Sequence, residues 1–305
     1  MRRIAYFGSG EFSKGVLEGL LNYCNIDLVI TKSDKEKGRG KSLTPTPVKE
    51  LALSRGIEVI DNENIKSIEF IDFLRSKDFD LFIVCDYGKI IPRDVFEIPR
   101  MRTVGIHPSL LPLYRGASPI QYAFLNNEKI TGTTVFYINE YMDAGDILIQ
   151  KSIEISEDDD YFSLSEKLVN LSVDAIVEFL NDSSIKPIPQ DESKATFTKI
   201  ITKEDGRIDW SRDGRYIFGQ IRAFVHWPKA FCFYKGKMVK ILKARLLDVE
   251  IGGEVGEIVD VGKTIKVKTG KGIIEILEVL PENSKQMDAR SFVNGYRVKV
   301  GDRFE

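Results

Sequence analysis

Short runs of branched and aromatic residues recur at 4–7, 26–30, 81–85 and 104–106, and between them lie longer stretches at 12–21, 47–54 and 68–76. The short runs have the length and composition of buried strands, and the longer ones suit helices. Their alternation predicts βαβ units wound around a parallel sheet. A further strand is predicted at 133–138. Leu164, Leu168, Leu171, Ile176 and Leu180 then mark the apolar face of a long amphipathic helix over 163–180. The polar, proline-broken stretch that follows, 181–189, reads as the start of a linker. Beyond it the pattern changes. After a predicted helix at 214–224, strand-like runs at 230–234, 239–244, 256–261, 265–269 and 272–279 are separated by Gly, Lys and Asp turns, as in a small β-barrel carrying one helix. The expected architecture is α/β: a Rossmann-like domain over 1–185, a linker over 186–206 and an OB-like barrel over 207–305. A length of 305 residues agrees with two domains.

Composition narrows the class. No segment approaches the roughly 18 uninterrupted apolar residues of a membrane span. The start, Met1-Arg2-Arg3 and a few apolar residues before Gly8, is too short for a signal peptide and is expected to be a first strand. Cys24, Cys85 and Cys232 share no metal-ligand spacing and cannot complete a disulfide framework, so a cytosolic, reducing setting is expected. With only two histidines, a Cys/His zinc site is short of ligands, and no metal is expected. The net charge of −2 is unevenly spread. Residues 207–305 hold 19 Lys and Arg against 13 Asp and Glu, whereas residues 1–206 hold 25 against 33. A basic second part suits either an ordinary solvated surface or an anionic partner such as RNA.

The Gly8-Ser9-Gly10 turn lacks the third glycine of a dinucleotide fingerprint, and Ser13-Lys14-Gly15 makes no phosphate loop. Segment 105–120 carries more chemistry. It places His107 directly after a strand, and ligands of open α/β sheets bind at the carboxyl ends of strands. A lone histidine is more often structural; this position argues for function. The loop after strand 133–138 holds Asp143 and Asp146, although acids in loops are usually solvated or turn-forming. The run Glu157-Asp158-Asp159-Asp160 is expected to stabilise the start of the long helix rather than to bind metal. Arg115 suits a substrate contact or packing against loop carbonyls equally well. His226 is expected to be structural or RNA-facing.

The run His107-x-Ser109-Leu110-Leu111-Pro112-x-x-Arg115-Gly116-Ala117-x-Pro119-Ile120, followed by Asp143-x-Gly145-Asp146, resembles the folate-dependent formyltransferases. The resemblance continues through 37–49, 195–196, 199–210, 221–228 and 292–296, which is nearly the whole chain. It implies that 10-formyltetrahydrofolate is the formyl donor and that the amino group of initiator methionyl-tRNA is the acceptor, in a monomeric enzyme. It also implies that His107 and Asp143 form the catalytic pair and that Ser109, Leu110, Leu111 and Pro112 line the folate site with backbone groups. Tyr87, Gly88 and Ile90 would belong to a pterin-binding turn, and Arg39, Lys41 and Lys49 to a loop that approaches the tRNA. The chemistry agrees. An amine attacking a formyl carbon needs a proton acceptor and a group that stabilises the oxyanion.

Three positions depart from the family pattern. Gly105 stands where an asparagine is usual, and a missing oxyanion donor typically costs about a hundredfold or more in rate. Either a water or another side chain is expected in its place, or catalysis is expected to be slow. Asp86 replaces a small apolar residue, and Lys229 replaces the glycine after Trp227-Pro228. Two alternatives follow: an N-formyltransferase acting on an amino-sugar nucleotide, and a folate- or RNA-binding relative weakened in catalysis by Gly105.

Overall fold

The computed structural model describes residues 2–37, 42–61, 64–249 and 251–305. The chain divides into two compact units. One comprises Met1–Pro119, Ile130–Glu154 and Ser165–Thr198; the other comprises Ile120–Lys129, Ile155–Leu164 and Lys199–Glu305.

The first unit is built on a seven-stranded sheet. Its order is Ile147–Glu154, Ile130–Tyr137, Thr103–His107, Leu81–Cys85, Ile4–Gly8, Leu28–Thr31 and Glu58–Asp61. The last five strands in that order are parallel; Ile130–Tyr137 runs antiparallel to them, and Ile147–Glu154 antiparallel to Ile130–Tyr137. The inner parallel strands are apolar on both faces, as a sheet covered by helices requires. Phe7, Phe82, Phe79 and Tyr87 make edge or tilted ring contacts under the helix Ile68–Ser76, whose N-cap Ser67 accepts from Phe70 N–H. From Ile4–Gly8 the chain first builds outward through Leu28–Thr31 to Glu58–Asp61, then returns to place Leu81–Cys85 on the other side. In open α/β sheets such a reversal marks where ligands bind, which here is at the carboxyl ends of Ile4–Gly8 and Leu81–Cys85. His107 ends the neighbouring strand.

The long helix is Tyr161–Asn181, two residues longer at its start than its apolar period predicts. Asp160 explains the start, since its carboxylate accepts from Phe162 N–H and Ser163 N–H at 2.9 and 3.1 Å. Asp159 ties Ser156 N–H and the Ser163 hydroxyl at 2.8 Å each. The acidic run is a helix start.

In the second unit an antiparallel sheet runs Ala230–Tyr234, Lys237–Leu247, Ile273–Pro281, Ile265–Lys268, Ile258–Val261, with Met287–Asp288 beside Ile273–Pro281. The final residues close it. Phe233 and Glu305 exchange backbone hydrogen bonds at one edge, while Ile258 N–H donates to Asp302 and Phe304 N–H to Gly256 at the other. Pairing both edges with one segment makes a barrel and removes exposed strand edges. Trp210, Tyr234, Phe292 and Phe304 fill it with the isoleucines of its strands. Lys229 has φ +72, a left-handed angle that explains why glycine suits the position. Lysine adopts it at a cost on the order of 1 kcal/mol, and its ammonium donates to the Val225 carbonyl at 2.6 Å. His226 stacks on Tyr161, with ring centroids 6.2 Å apart, and meets the edge of Phe162. This is a packing role.

Candidate active site

His107 is the last residue of its strand and only 6% exposed. Its Nε2 lies 2.8 Å from the Tyr114 carbonyl. A carbonyl only accepts, so Nε2 carries a proton and Nδ1 is the nitrogen left to exchange one. Nδ1 faces Asp143, whose Oδ2 is 3.7 Å away, an ion-pair distance rather than a hydrogen bond. The same Oδ2 accepts from Gly116 N–H at 2.8 Å. His107 and Asp143, expected from the sequence to meet, are brought together in space from a strand end and a separate loop.

Both members of the pair are fixed by the tripeptide Tyr114-Arg115-Gly116. Its backbone is unusual: Tyr114 has φ +61 and Gly116 φ +106. At Gly116 a Cβ would lie 2.8 Å from the Thr198 carbonyl oxygen, so glycine is needed for both the angle and the approach. The tripeptide pairs with the short strand Phe197–Thr198. Tyr114 N–H donates to the Thr196 hydroxyl at 2.8 Å, Arg115 N–H to the Thr196 carbonyl at 2.9 Å, and the Thr198 hydroxyl to the Arg115 carbonyl at 3.1 Å. Residues 190–198, which read from sequence as part of a linker, are therefore stitched into the site.

Arg115 is 2% exposed. Its guanidinium reaches Glu192 through two bonds of 2.8 and 2.7 Å, and Gln190 Oε1 at 3.2 and 2.8 Å. These bonds hold the Glu192 carboxyl below the usual range, the hydrogen bond from Arg115 being the main cause. Neither arrangement left open by the sequence is the one found, since the side chains of Glu192 and Gln190 engage the buried guanidinium.

The segment Ser109-Leu110-Leu111-Pro112 follows His107, but much of its backbone is already engaged. The Ser109 carbonyl accepts from the Thr134 hydroxyl, Leu111 N–H donates to that same oxygen, and the Leu111 carbonyl accepts from Gln150. Leu110 and Pro112 carbonyls accept from Leu113 and Thr196 N–H. The Ser109 hydroxyl donates to the Leu113 carbonyl. Tyr87 differs from expectation. It is 2% exposed, packs edge-on against Phe7, and burial raises its phenol to about 12. Its ring anchors the 86–91 turn from below. Gly88 has φ +66 with the Lys32 ammonium over it, and Ile90 protrudes, 82% exposed. Asp86 presses its carboxylate against Gly10, where a Cβ would lie 1.8 Å from Oδ2. Burial pushes the pKa of Asp86 up, and nearby Lys32 opposes that.

Residues 2–180 match the formyl transferase family, and residues 200–297 match the C-terminal domain of formyl transferases. The chain belongs to this family. A methionyl-tRNA formyltransferase of Dictyoglomus thermophilum is 42% identical over 312 residues, covering 99% of this chain and 100% of that one. Its counterpart in Caldicellulosiruptor saccharolyticus is 39% identical over 306 residues, 98% of each. Among solved structures, the sugar 3N-formyl transferase WlaRD superposes with a TM-score of 0.66 at 21% identity, covering 93% of this chain and 99% of WlaRD. HypX from Aquifex aeolicus, solved with tetrahydrofolic acid, gives a TM-score of 0.62 at 21% identity, covering 98% of this chain and 48% of HypX. At such identities these structures speak for the fold alone.

Within the formyl transferase fold, the glycine at 105 has a physical explanation that its sequence did not suggest. Gly105 pairs across the sheet with Phe136. A Cβ on Gly105 would lie 2.6 and 2.7 Å from the Phe136 ring and 2.8 Å from Ile138 Cδ1. Phe136 is 2% exposed. The space a side chain would enter is thus occupied by carbon, which corrects the expectation of a water or polar group there.

The tRNA expectations fare differently from one another. Arg39 and Lys41 lie outside the described residues. Lys49 is held by Asp34 and Asp61, each at 2.7 Å, and is 18% exposed. Those bonds, the one to Asp34 first, raise its ammonium above the usual value. A cation already matched by two carboxylates makes a poor phosphate ligand, so the reading of Lys49 is corrected. In the second unit a cleft of about 970 Å³ is lined by Arg215, Arg222 and Lys243 but also by Glu157, Asp158 and Asp160. Its mixed signs do not make a simple anion groove. Among the described residues no group of three or more His, Cys, Asp and Glu side chains could hold a metal, and no helix is long and apolar enough to cross a membrane.

Proposed function

We propose that this enzyme transfers the formyl group of 10-formyltetrahydrofolate to the amino group of initiator methionyl-tRNA, with His107 and Asp143 as the catalytic pair. The observation that carries the acceptor is likeness over essentially the full length of both chains to methionyl-tRNA formyltransferases, 42% identical in one case. The chemistry is supported by the pair at 3.7 Å. The amine nitrogen attacks the formyl carbon, the carbonyl oxygen takes the charge, and the bond to the folate nitrogen breaks. The proton lost by the amine ends on that nitrogen. Asp143 is the more exposed member, and its Oδ2 accepts from Gly116 N–H and faces His107; in this reading its Oδ1 meets the amine. Positive charge that develops on the ring at Nδ1 is stabilised by the carboxylate beside it. A cytosolic, monomeric enzyme without a metal belongs to the same reading.

The deciding experiment supplies 10-formyltetrahydrofolate with either methionyl-tRNA or a nucleotide-linked amino sugar and follows formyl product. Turnover confined to methionyl-tRNA is the expected result. Turnover confined to the sugar overturns the acceptor, and none with either overturns the enzyme reading.

The basic loop supplies a second test. Neutralising Arg39 and Lys41 together should weaken tRNA binding and flatten its salt dependence, by about one unit of log–log slope for each phosphate that the loop ceases to neutralise. The Michaelis constant for folate should stay nearly constant. An unchanged salt slope would remove this loop from the tRNA interface.

A further inference from the structure

We propose that Gln190 is a positioning residue for Asp143, acting through the backbone of the Asp143 loop; this rests on the catalytic reading of Asp143. The Gln190 amide Nε2 donates to the Asp143 carbonyl at 2.9 Å and to the Gly145 carbonyl at 2.7 Å. Its Oε1 accepts from the Arg115 guanidinium at 3.2 and 2.8 Å. Carbonyls only accept and a guanidinium only donates, so the network fixes which end of the amide is which.

The Asp143 loop needs such a clamp. Asp143 itself has φ +51, an angle that a non-glycine residue keeps only when its surroundings enforce it. Gly145 is pressed against the Tyr137 carbonyl, 1.7 Å from where a Cβ would lie. With the two donated bonds, Gln190 fixes both ends of the turn that carries the carboxylate. Through Arg115 it joins that turn to the tripeptide whose Tyr114 carbonyl holds His107 and whose Gly116 N–H holds Asp143 Oδ2. One side chain thus connects the two halves of the pair by a path separate from their direct approach. Small displacements of a reacting group cost much: about 1 Å can cost about a hundredfold in rate.

The test is kinetic. Gln190→Ala should lower kcat about 10- to 100-fold while the Michaelis constants for both substrates move less than about threefold. Gln190→Glu keeps an acceptor for Arg115 and the packing of the segment but replaces the donor by an oxygen facing two carbonyls, so it should be equally slow. In a cycle with Asp143→Asn, the double variant Asp143→Asn/Gln190→Ala should be within about threefold of Asp143→Asn alone, because a group that acts through Asp143 has nothing left to position. Losses that multiply would overturn the proposal, as would near-normal turnover in Gln190→Glu, which would reduce Gln190 to an anchor for Arg115. Normal turnover in Asp143→Asn by itself would instead overturn the catalytic pair, and the positioning role with it.

Discussion

Asp143→Asn is expected to slow formyl transfer by about 10²- to 10⁴-fold, the range over which a positioned acid–base group contributes. The substitution is nearly isosteric, and its side-chain oxygen still accepts from Gly116 N–H, the bond that seats the wild-type carboxylate at 2.8 Å. The backbone of residue 143 keeps its bond from Gln190. The protein should therefore fold and melt as before while losing the negative charge beside His107 Nδ1. Binding of either substrate should change little, so the loss should appear in kcat and equally in kcat/KM. His107→Ala should be at least as slow but is a less clean variant, since it also removes the donor to the Tyr114 carbonyl, a bond worth on the order of 1 kcal/mol. His107→Gln, which offers that carbonyl a donor, separates the two effects. Near-normal turnover in Asp143→Asn, measured with saturating methionyl-tRNA, removes Asp143 from the mechanism.

Much of this site is legible in the sequence. The apolar runs locate five of the seven strands of the first sheet to within a few residues, because inner strands of a parallel sheet are apolar throughout and bounded by turns, but they do not mark Glu58–Asp61 and Ile147–Glu154, the two edge strands. His107 stands out by following such a strand. What the sequence hides is the packing between distant segments. Gln190 lies in a polar, proline-broken stretch whose composition is that of a linker, and nothing local marks it as the partner of Arg115 and of the Asp143 loop. Tyr87 and Lys49 mislead for a related reason. A tyrosine in a turn and a lysine near a basic loop look available to ligands; only the fold shows the one sealed under Phe7 and the other claimed by Asp34 and Asp61. Arg115 shows the reverse. Its two readings, a substrate contact and packing against loop carbonyls, are balanced in sequence, and the structure shows neither but a buried bidentate pair with Glu192.

Gly105→Asn, which restores the residue usual in the family, is expected to destabilise this protein and not to speed it. The first new atom would lie 2.6 Å from the ring of Phe136 and 2.8 Å from Ile138 Cδ1, well inside van der Waals distance, before the amide itself is placed. Phe136 is buried in the sheet interior, so it must turn against packed neighbours to make room. Overpacking of this kind costs about 1–3 kcal/mol, and an amide pushed against an aromatic ring without a partner adds to it. Phe136 pairs with Gly105 and so shares its sheet face with His107, two residues along from Gly105; the strain therefore reaches His107, and turnover should fall. Phe136→Ala alone should cost about 3–5 kcal/mol by opening a cavity. The double variant Gly105→Asn/Phe136→Ala should be more stable than the sum of the two single losses allows, because the amide enters the space the ring has left. Its turnover is the informative quantity: a value above that of Phe136→Ala means that a donor at 105 still finds the developing oxyanion from this backbone. Thermal or denaturant unfolding of the four proteins, with kcat measured on each, checks the whole cycle. Wild-type stability in Gly105→Asn, or a rise in its turnover, would show that Phe136 yields freely and that carbon packing is not what keeps glycine at 105.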